Sequence, residues 1–228
     1  MEKITIKKLI EFRRKSDKSR LTLMTNLRKE KAPGIEKPKD TGGDYWISCI
    51  SALGKIFLTN DKDFIREKID YLQTKIDAAS DLRTKQRFQK NIDLLVCFED
   101  FDFSSIRPTE KLTYHKKQDD KAILLINDLP LYVNPYHVFS FSNKGINEVG
   151  AVWFIAQKNG FTTGELGMFC DVLHRYLVTH FSEDYIINPA YCIAVDIFKC
   201  QSINYTHIQS SDIVSFLDST IEEFRNFP

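Results

Sequence analysis

The stretch Glu148-Val149-Gly150-Ala151-Val152-Trp153-Phe154-Ile155-Ala156-Gln157 decides the fold. It is almost wholly apolar, and its apolar residues do not alternate with polar ones. A strand of that kind is covered on both faces and belongs in the middle of a sheet. Five residues on, Thr162-x-x-Glu165 carries the capping-box pattern that opens a helix. Leu166, Phe169, Cys170, Leu173 and Leu177 then recur at i+3 and i+4 steps, so a helix follows the strand. Cys192 to Phe198 reads as the next strand, which makes strand, helix, strand the centre of the chain.

Upstream, Leu112–His115, Ala122–Ile126 and Leu131–Phe141 are short β-rich runs. Asn127-Asp128-Leu129-Pro130 reads as a turn, and Ser142-Asn143-Lys144-Gly145 as a hairpin end. Downstream, Ile203–Tyr205 is a short strand. A last helix starts at Ser211 or Asp212, with Ile213, Phe216, Leu217, Ile221 and Phe224 inward.

The first hundred residues have helical periodicity. Residues 5–31 form two pieces, with Ile6, Leu9 and Ile10 as one apolar stripe and Leu21, Met24 and Leu27 as the other. Ser16 or Ser19 caps the second piece. Residues 32–43 hold two prolines and three glycines and read as a flexible loop. Tyr45 to Leu58 is an apolar helix expected to be buried on most sides. Two further helices follow, one starting near Asp63 and one capped by Ser80, and they form an antiparallel hairpin.

The expected class is therefore α+β. N-terminal helices pack on a mixed β-sheet of β-β-β-α-β order, and a C-terminal helix closes it. One domain spans 1–228: a basic helical arm over 1–31, the loop 32–43, a helical part over 44–98 and a sheet-containing part over 111–228.

Composition narrows the function classes. The chain has 228 residues, 43% hydrophobic and 28% charged, which excludes a disordered tail, a rod or a disulfide scaffold. Charge is uneven. Residues 1–121 hold 27 Lys and Arg against 20 Asp and Glu, while residues 122–228 hold 5 against 11. An anionic partner would meet the N-terminal part, although a solvated Lys-rich helix face accounts for the same pattern. The five cysteines, Cys49, Cys97, Cys170, Cys192 and Cys200, have no CxxC spacing. Several lie in apolar runs, so reduced and mostly shielded thiols are expected. No signal-peptide h-region opens the chain and no apolar run reaches about 18 residues. A cytoplasmic protein away from membranes is expected.

The β-meander, amphipathic helix and further strand over residues 120–206 resemble the core of the PD-(D/E)XK nuclease superfamily in its RecB-like form. That resemblance implies a metal-binding Asp near the second strand and an acid-x-Lys triplet on the third, which together hold a divalent ion and a water. The residues depart from it. Leu131-Tyr132-Val133-Asn134-Pro135-Tyr136-His137 supplies no acid, and Glu148 and Lys158 stand ten residues apart. The position of the RecB-like glutamine is Val172. Arrangement is retained without the motif, which implies an inactive copy.

Other constellations have plain structural readings. Cys170 and His174 share a helix face at i, i+4, but no third and fourth ligand accompanies them. His137 reads as a hydrogen-bonded core or edge histidine. Asp196 interrupts Ala194-Val195-Asp196-Ile197 and needs a partner or a partly uncovered sheet face. Gly160-Phe161-Thr162-Thr163-Gly164-Glu165 puts glycines at a helix start, yet Glu165 would satisfy that end itself. Tyr45-Trp46 is not interleaved with Lys or Arg.

No catalytic residue, metal ligand or cofactor is assigned. The expected function is a non-enzymatic binding module contacting nucleic acid or a partner protein through Lys7, Lys8, Arg13, Arg14, Lys15, Lys18 and Arg20. A divergent metal-dependent nuclease and a structural assembly subunit are the alternatives.

Overall fold

The computed structural model describes residues 4–28, 45–109, 111–116 and 122–228. The loop expected over 32–43 lies outside these residues. Five strands form one sheet in the order β1 (Thr113–His115), β4 (His137–Asn143), β5 (Ile146–Ile155), β6 (Ile186–Asp196), β7 (Gln201–Asn204). β5 is central, as its composition requires. It pairs antiparallel with β4 and parallel with β6. The parallel step needs a crossover, and α6 (Thr163–Phe181) supplies it. Its capping box is formed as expected from Thr162 and Glu165. The class is α+β with a C-terminal helix.

Alternation along the central strands divides the core in two. Val149, Ala151 and Ile155 of β5, with Cys192 and Ala194 of β6, face α6. α1 (Ile6–Arg14), α2 (Asp17–Arg28) and α8 (Leu217–Asn226) complete that side. So does a separate hairpin of β2 (Ile123–Ile126) and β3 (Leu129–Tyr132). Val152 and Phe154 of β5, with Ile193 and Val195 of β6, face the opposite way. There they meet α3 (Ile47–Thr59) and α5 (Leu82–Cys97), with α4 (Phe64–Ala78) packed beside them.

Several expected boundaries shift for identifiable reasons. The run 131–141 is two strands in different sheets, broken at Val133-Asn134-Pro135-Tyr136. Pro135 has no N–H for a ladder. The first hairpin turns at Asn127 and Asp128, both left-handed (φ 45° and 59°), so Leu129 and Pro130 belong to β3. The cap of α5 is Asp81, which accepts from the N–H groups of Arg83 and Thr84, and not Ser80. α3 buries Cys49, Leu53, Ile56 and Phe57 but leaves Ile47 and Leu58 exposed, so it is covered on fewer sides than expected. β6 begins six residues early, and a short α7 (Thr206–Gln209) precedes α8, which itself starts at Leu217.

The basic N-terminal segment is part of the core. Ile6, Leu9, Ile10 and Phe12 are buried, with Phe12 set edge-on between Phe224 (5.2 Å) and Phe227 (5.3 Å) of the C-terminal segment. The Tyr132 N–H donates to the Ile4 carbonyl at 2.7 Å, fastening the start of the described chain to β3.

Candidate functional site

Parallel strands in open sheets present their carboxyl ends to ligands. Here those ends are Ile155 and Asp196, which pair directly. The segments that leave them are 156–162 and 197–200. Asp196 has no exposed surface. Its Oδ2 accepts from the Phe161 N–H at 2.7 Å and its Oδ1 from the Phe198 N–H at 2.9 Å. The sheet face that carries Asp196 is therefore covered, not partly open as expected, and the carboxylate is satisfied by backbone. Lys199 Nζ donates to the Phe161 carbonyl and closes the other side of the same loop. Gly160 is required there. Its φ is +70°, and a Cβ would stand 2.6 Å from Asp196 Oδ2.

The helix end beside this loop is occupied by protein groups. Glu165 accepts from the Thr162 N–H at 2.8 Å and takes a two-pronged contact from Arg14. Arg14 also donates to the Gly160 carbonyl at 3.1 Å. Burial alone would raise the Glu165 pKa. Arg14 and the Thr162 N–H outweigh it and hold the carboxyl below its ordinary value. The hydrogen bond that Arg14 donates to Glu165 raises the arginine pKa in turn. A free anion is thus replaced at this N-terminus by Glu165.

The seven basic residues singled out in the sequence divide into two kinds. Arg13 donates to Thr220 Oγ1 at 3.1 Å and lies 4.5 Å over the Phe216 ring. Arg14 is bound as above. Arg20 reaches the carbonyls of Phe12 and Arg13 and pairs with Glu223 at 2.6 Å. These three arginines fasten the N-terminal helices to α6 and α8. Lys8 and Lys15 both flank Glu11, at 3.7 Å and 3.3 Å. Lys18 and Lys7 are exposed as residues, but the Lys7 Nζ lies 3.4 Å from the Ala156 carbonyl and its desolvation lowers its pKa. The structure does not bring the seven into one free stripe.

On the α3–α5 side of the same strand ends lies a cleft of about 520 Å³ lined by Tyr45, Trp46, Lys90, Asp93, Leu94, Lys158 and Phe198. Trp46 stands edge-on to Tyr45 (4.5 Å) and to Phe198 (4.7 Å). Lys90 Nζ is 5.8 Å from the Tyr45 ring centroid. The corner is positioned by Asn91, 1% exposed and fully engaged. Its Oδ1 accepts from the Cys49 N–H at 3.0 Å, and its Nδ2 donates to the carbonyls of Tyr45 (2.8 Å) and Arg87 (2.9 Å). One buried amide thus locks the start of α3 onto α5. Phe198 is held by its own N–H on Asp196, and Lys158 follows the end of β5. In the sequence no lysine is interleaved with Tyr45-Trp46. The lysines come instead from α5 and from the β5–α6 loop. Only the position of Lys158 just past a central strand hinted at a role.

The remaining candidates lie elsewhere. Glu148 is at the opposite end of the ladder, where Asn143 donates to it at 3.2 Å and Asn188 also donates. Seven residues of β5 separate it from the level of Asp196, roughly 23 Å at the usual rise, so the two carboxylates share no site. His137 Nε2 is 2.9 Å from the Gly54 carbonyl, which makes it the core-contacting histidine expected. Cys170 donates to the Ile203 carbonyl at 3.4 Å, and the His174 ring stacks on Tyr205 at 4.0 Å. Among the described residues, no three His, Cys, Asp or Glu side chains are grouped to hold a metal ion, and no helix is long and apolar enough to cross a membrane.

Comparison with known proteins finds no matching family model, no similar curated protein and no similar solved structure.

Proposed function

We propose that this chain is a non-catalytic binding module that receives a single strand of nucleic acid in the cleft at the carboxyl ends of β5 and β6. The observation that carries the reading is the convergence of Tyr45, Trp46 and Phe198 with Lys90 and Lys158 around one cleft. Unpaired bases offer flat π-faces to aromatic side chains, and the adjoining phosphates need cations at the rim. A volume of about 520 Å³ lies in the range that holds a nucleotide-sized group. Asp93 supplies an acceptor for a base amino group. Duplex DNA hides the base faces, so the cleft prefers single strands.

Cleavage is no part of this reading. Asp196 spends both oxygens on backbone N–H groups, and Glu148 is at the far end of the strand. Kinship with the nuclease-like arrangement would be one of framework alone. Lys18, which is exposed, and the half-buried Lys8 and Lys15 add a weak, sequence-independent attraction for phosphates. Five free cysteines suit a reducing, cytoplasmic setting.

Fluorescence anisotropy with a labelled single-stranded oligonucleotide at low salt tests the reading. Trp46→Ala should weaken binding by about 5- to 150-fold, the range of one lost stacking contact. If only Lys90 and Lys158 neutralise phosphates, log affinity should fall with log salt at a slope of about −1.4. Binding that ignores Trp46 and Lys158 but vanishes when Lys8, Lys15 and Lys18 become Ala would refute the cleft as the site.

A further inference from the structure

We propose that Cys97 and Cys200 form a thiol pair that closes to a reversible disulfide by exchange with a small disulfide such as oxidised glutathione. The inference stands on the thiol geometry and does not depend on what the cleft binds.

The two residues lie 103 positions apart, Cys97 at the end of α5 and Cys200 in the turn between β6 and β7. The Cys200 thiol donates to the carbonyl oxygen of Cys97 itself at 2.8 Å. Its Sγ therefore rests on the backbone of the residue it would bridge. Disulfides need Cα atoms roughly 4.4–6.8 Å apart. A thiol touching its partner's own carbonyl oxygen brings the two residues close to that range, and a small shift of the turn completes the approach. Cys97 is exposed, and its Sγ is turned back to the Asp93 carbonyl at 3.3 Å, so closure requires it to rotate about its Cα–Cβ bond.

Cys200 has φ 49°, in the left-handed region where glycine is unstrained and a β-carbon is not. The residue there carries a side chain, and its thiol meets the end of α5. The other three thiols differ. Cys49, Cys170 and Cys192 have no exposed surface, and burial raises the pKa of each. Most of the thiols are thus shielded, as expected, and Cys97 is the exposed exception. Cys97 closes a helix whose last turn faces solvent at Val96 and Cys97.

The order of events follows from access. Cys97 loses its proton to solvent and its thiolate attacks one sulfur of the small disulfide. A Cys97–glutathione bond forms, and glutathione thiolate leaves and is protonated. Cys200, whose thiol burial holds up at about 11, then gives up its proton and attacks the Cys97 sulfur. The protein disulfide forms and a second glutathione departs. Two protein thiols are oxidised and one glutathione disulfide is reduced to two thiols, so atoms and electrons balance. The bond joins α5, which carries Asp93 and Leu94, to the turn that carries Phe198. It would tie together two walls of the cleft.

The test treats the reduced, folded chain with oxidised glutathione, quenches with acid, and reads intact mass and peptide maps. The wild-type chain should lose two hydrogens and yield a Cys97–Cys200 cross-linked peptide, with the mass restored by dithiothreitol. Cys200→Ser should instead retain one glutathione on Cys97, and Cys97→Ser should gain neither bridge nor rapid adduct. A lasting glutathione adduct on Cys97 in the wild-type chain would overturn the proposal. So would a bridge to Cys49, or unchanged mass under conditions in which the unfolded chain is oxidised.

Discussion

Arg14 and Glu165 meet through two parallel hydrogen bonds, Nε to Oε1 and Nη2 to Oε2, each 2.6 Å long, across 151 residues of sequence. The pair joins the first helix to the N-terminus of α6 and fixes the loop that leaves the central strand. A charged side chain that sequence alone offers as a ligand contact is thereby a framework element. The pair is bidentate and Glu165 is nearly buried, the geometry in which an ion pair contributes most.

Acid titration should reveal this pair. Glu165 has a lower pKa in the folded chain than the ordinary 4.5. A depressed carboxyl pKa adds stability that is complete above the unfolded value and is lost as pH falls through the folded one. Unfolding free energy of the wild-type chain should therefore drop more steeply below about pH 4.5 than that of Glu165→Gln. Urea denaturation across pH 3–6 measures the difference, and parallel curves would contradict the assignment. At pH 7, Glu165→Ala should cost about 1–3 kcal/mol, because Arg14 and the Thr162 N–H lose their acceptor.

The N-terminal helix should behave as core. Phe12 has no exposed surface and packs edge-on against two rings of the C-terminal segment. Phe12→Ala should destabilise the whole domain by about 3–5 kcal/mol, through lost burial and the cavity left behind. Chemical denaturation followed by far-UV circular dichroism would show one transition shifted to lower denaturant. A separate early transition for the N-terminal part would show instead that it is a detachable arm.

Asp196 should be structural. Asp196→Ala leaves the N–H groups of Phe161 and Phe198 without their acceptor in a buried place and should cost about 2–4 kcal/mol, counting roughly 1–2 for each. Asp196→Asn keeps one oxygen and should cost less. Both effects are read as shifts in urea midpoint. A variant as stable as the wild type would indicate that these backbone groups have another partner.

Local patterns were legible where local physics decides. The unbroken apolar run of β5 announced a central strand, and Thr162 with Glu165 announced the start of α6. Both rest on neighbours a few residues away. The strand expected over 131–141 failed because apolar composition continues through Pro135 while the ladder cannot. The expected start of β6 at Cys192 misses Ile186 and Ile187, which pair with Glu148 and Val149, because Asn188 and Pro189 interrupt the apolar run between them and Cys192. The cleft was out of reach for a different reason. Trp46, Lys90, Lys158 and Phe198 come from four separate segments, and only the folded sheet and the buried amide of Asn91 bring them together. The same distance in sequence hid the partners of Arg13, Arg14 and Arg20.

The central claim is that bases stack in the cleft, and the emission of Trp46 reports it directly. The chain has two tryptophans. The other, Trp153, packs on Phe169 at 5.4 Å on the opposite side of the sheet, so Trp153→Phe leaves Trp46 as the sole reporter. Titrating that variant with an unlabelled single-stranded oligonucleotide at low salt should quench Trp46 emission saturably. Added salt or the further change Lys158→Ala should weaken the effect. Unchanged Trp46 emission at oligonucleotide concentrations that saturate binding, or no binding at all at low salt, would contradict the account.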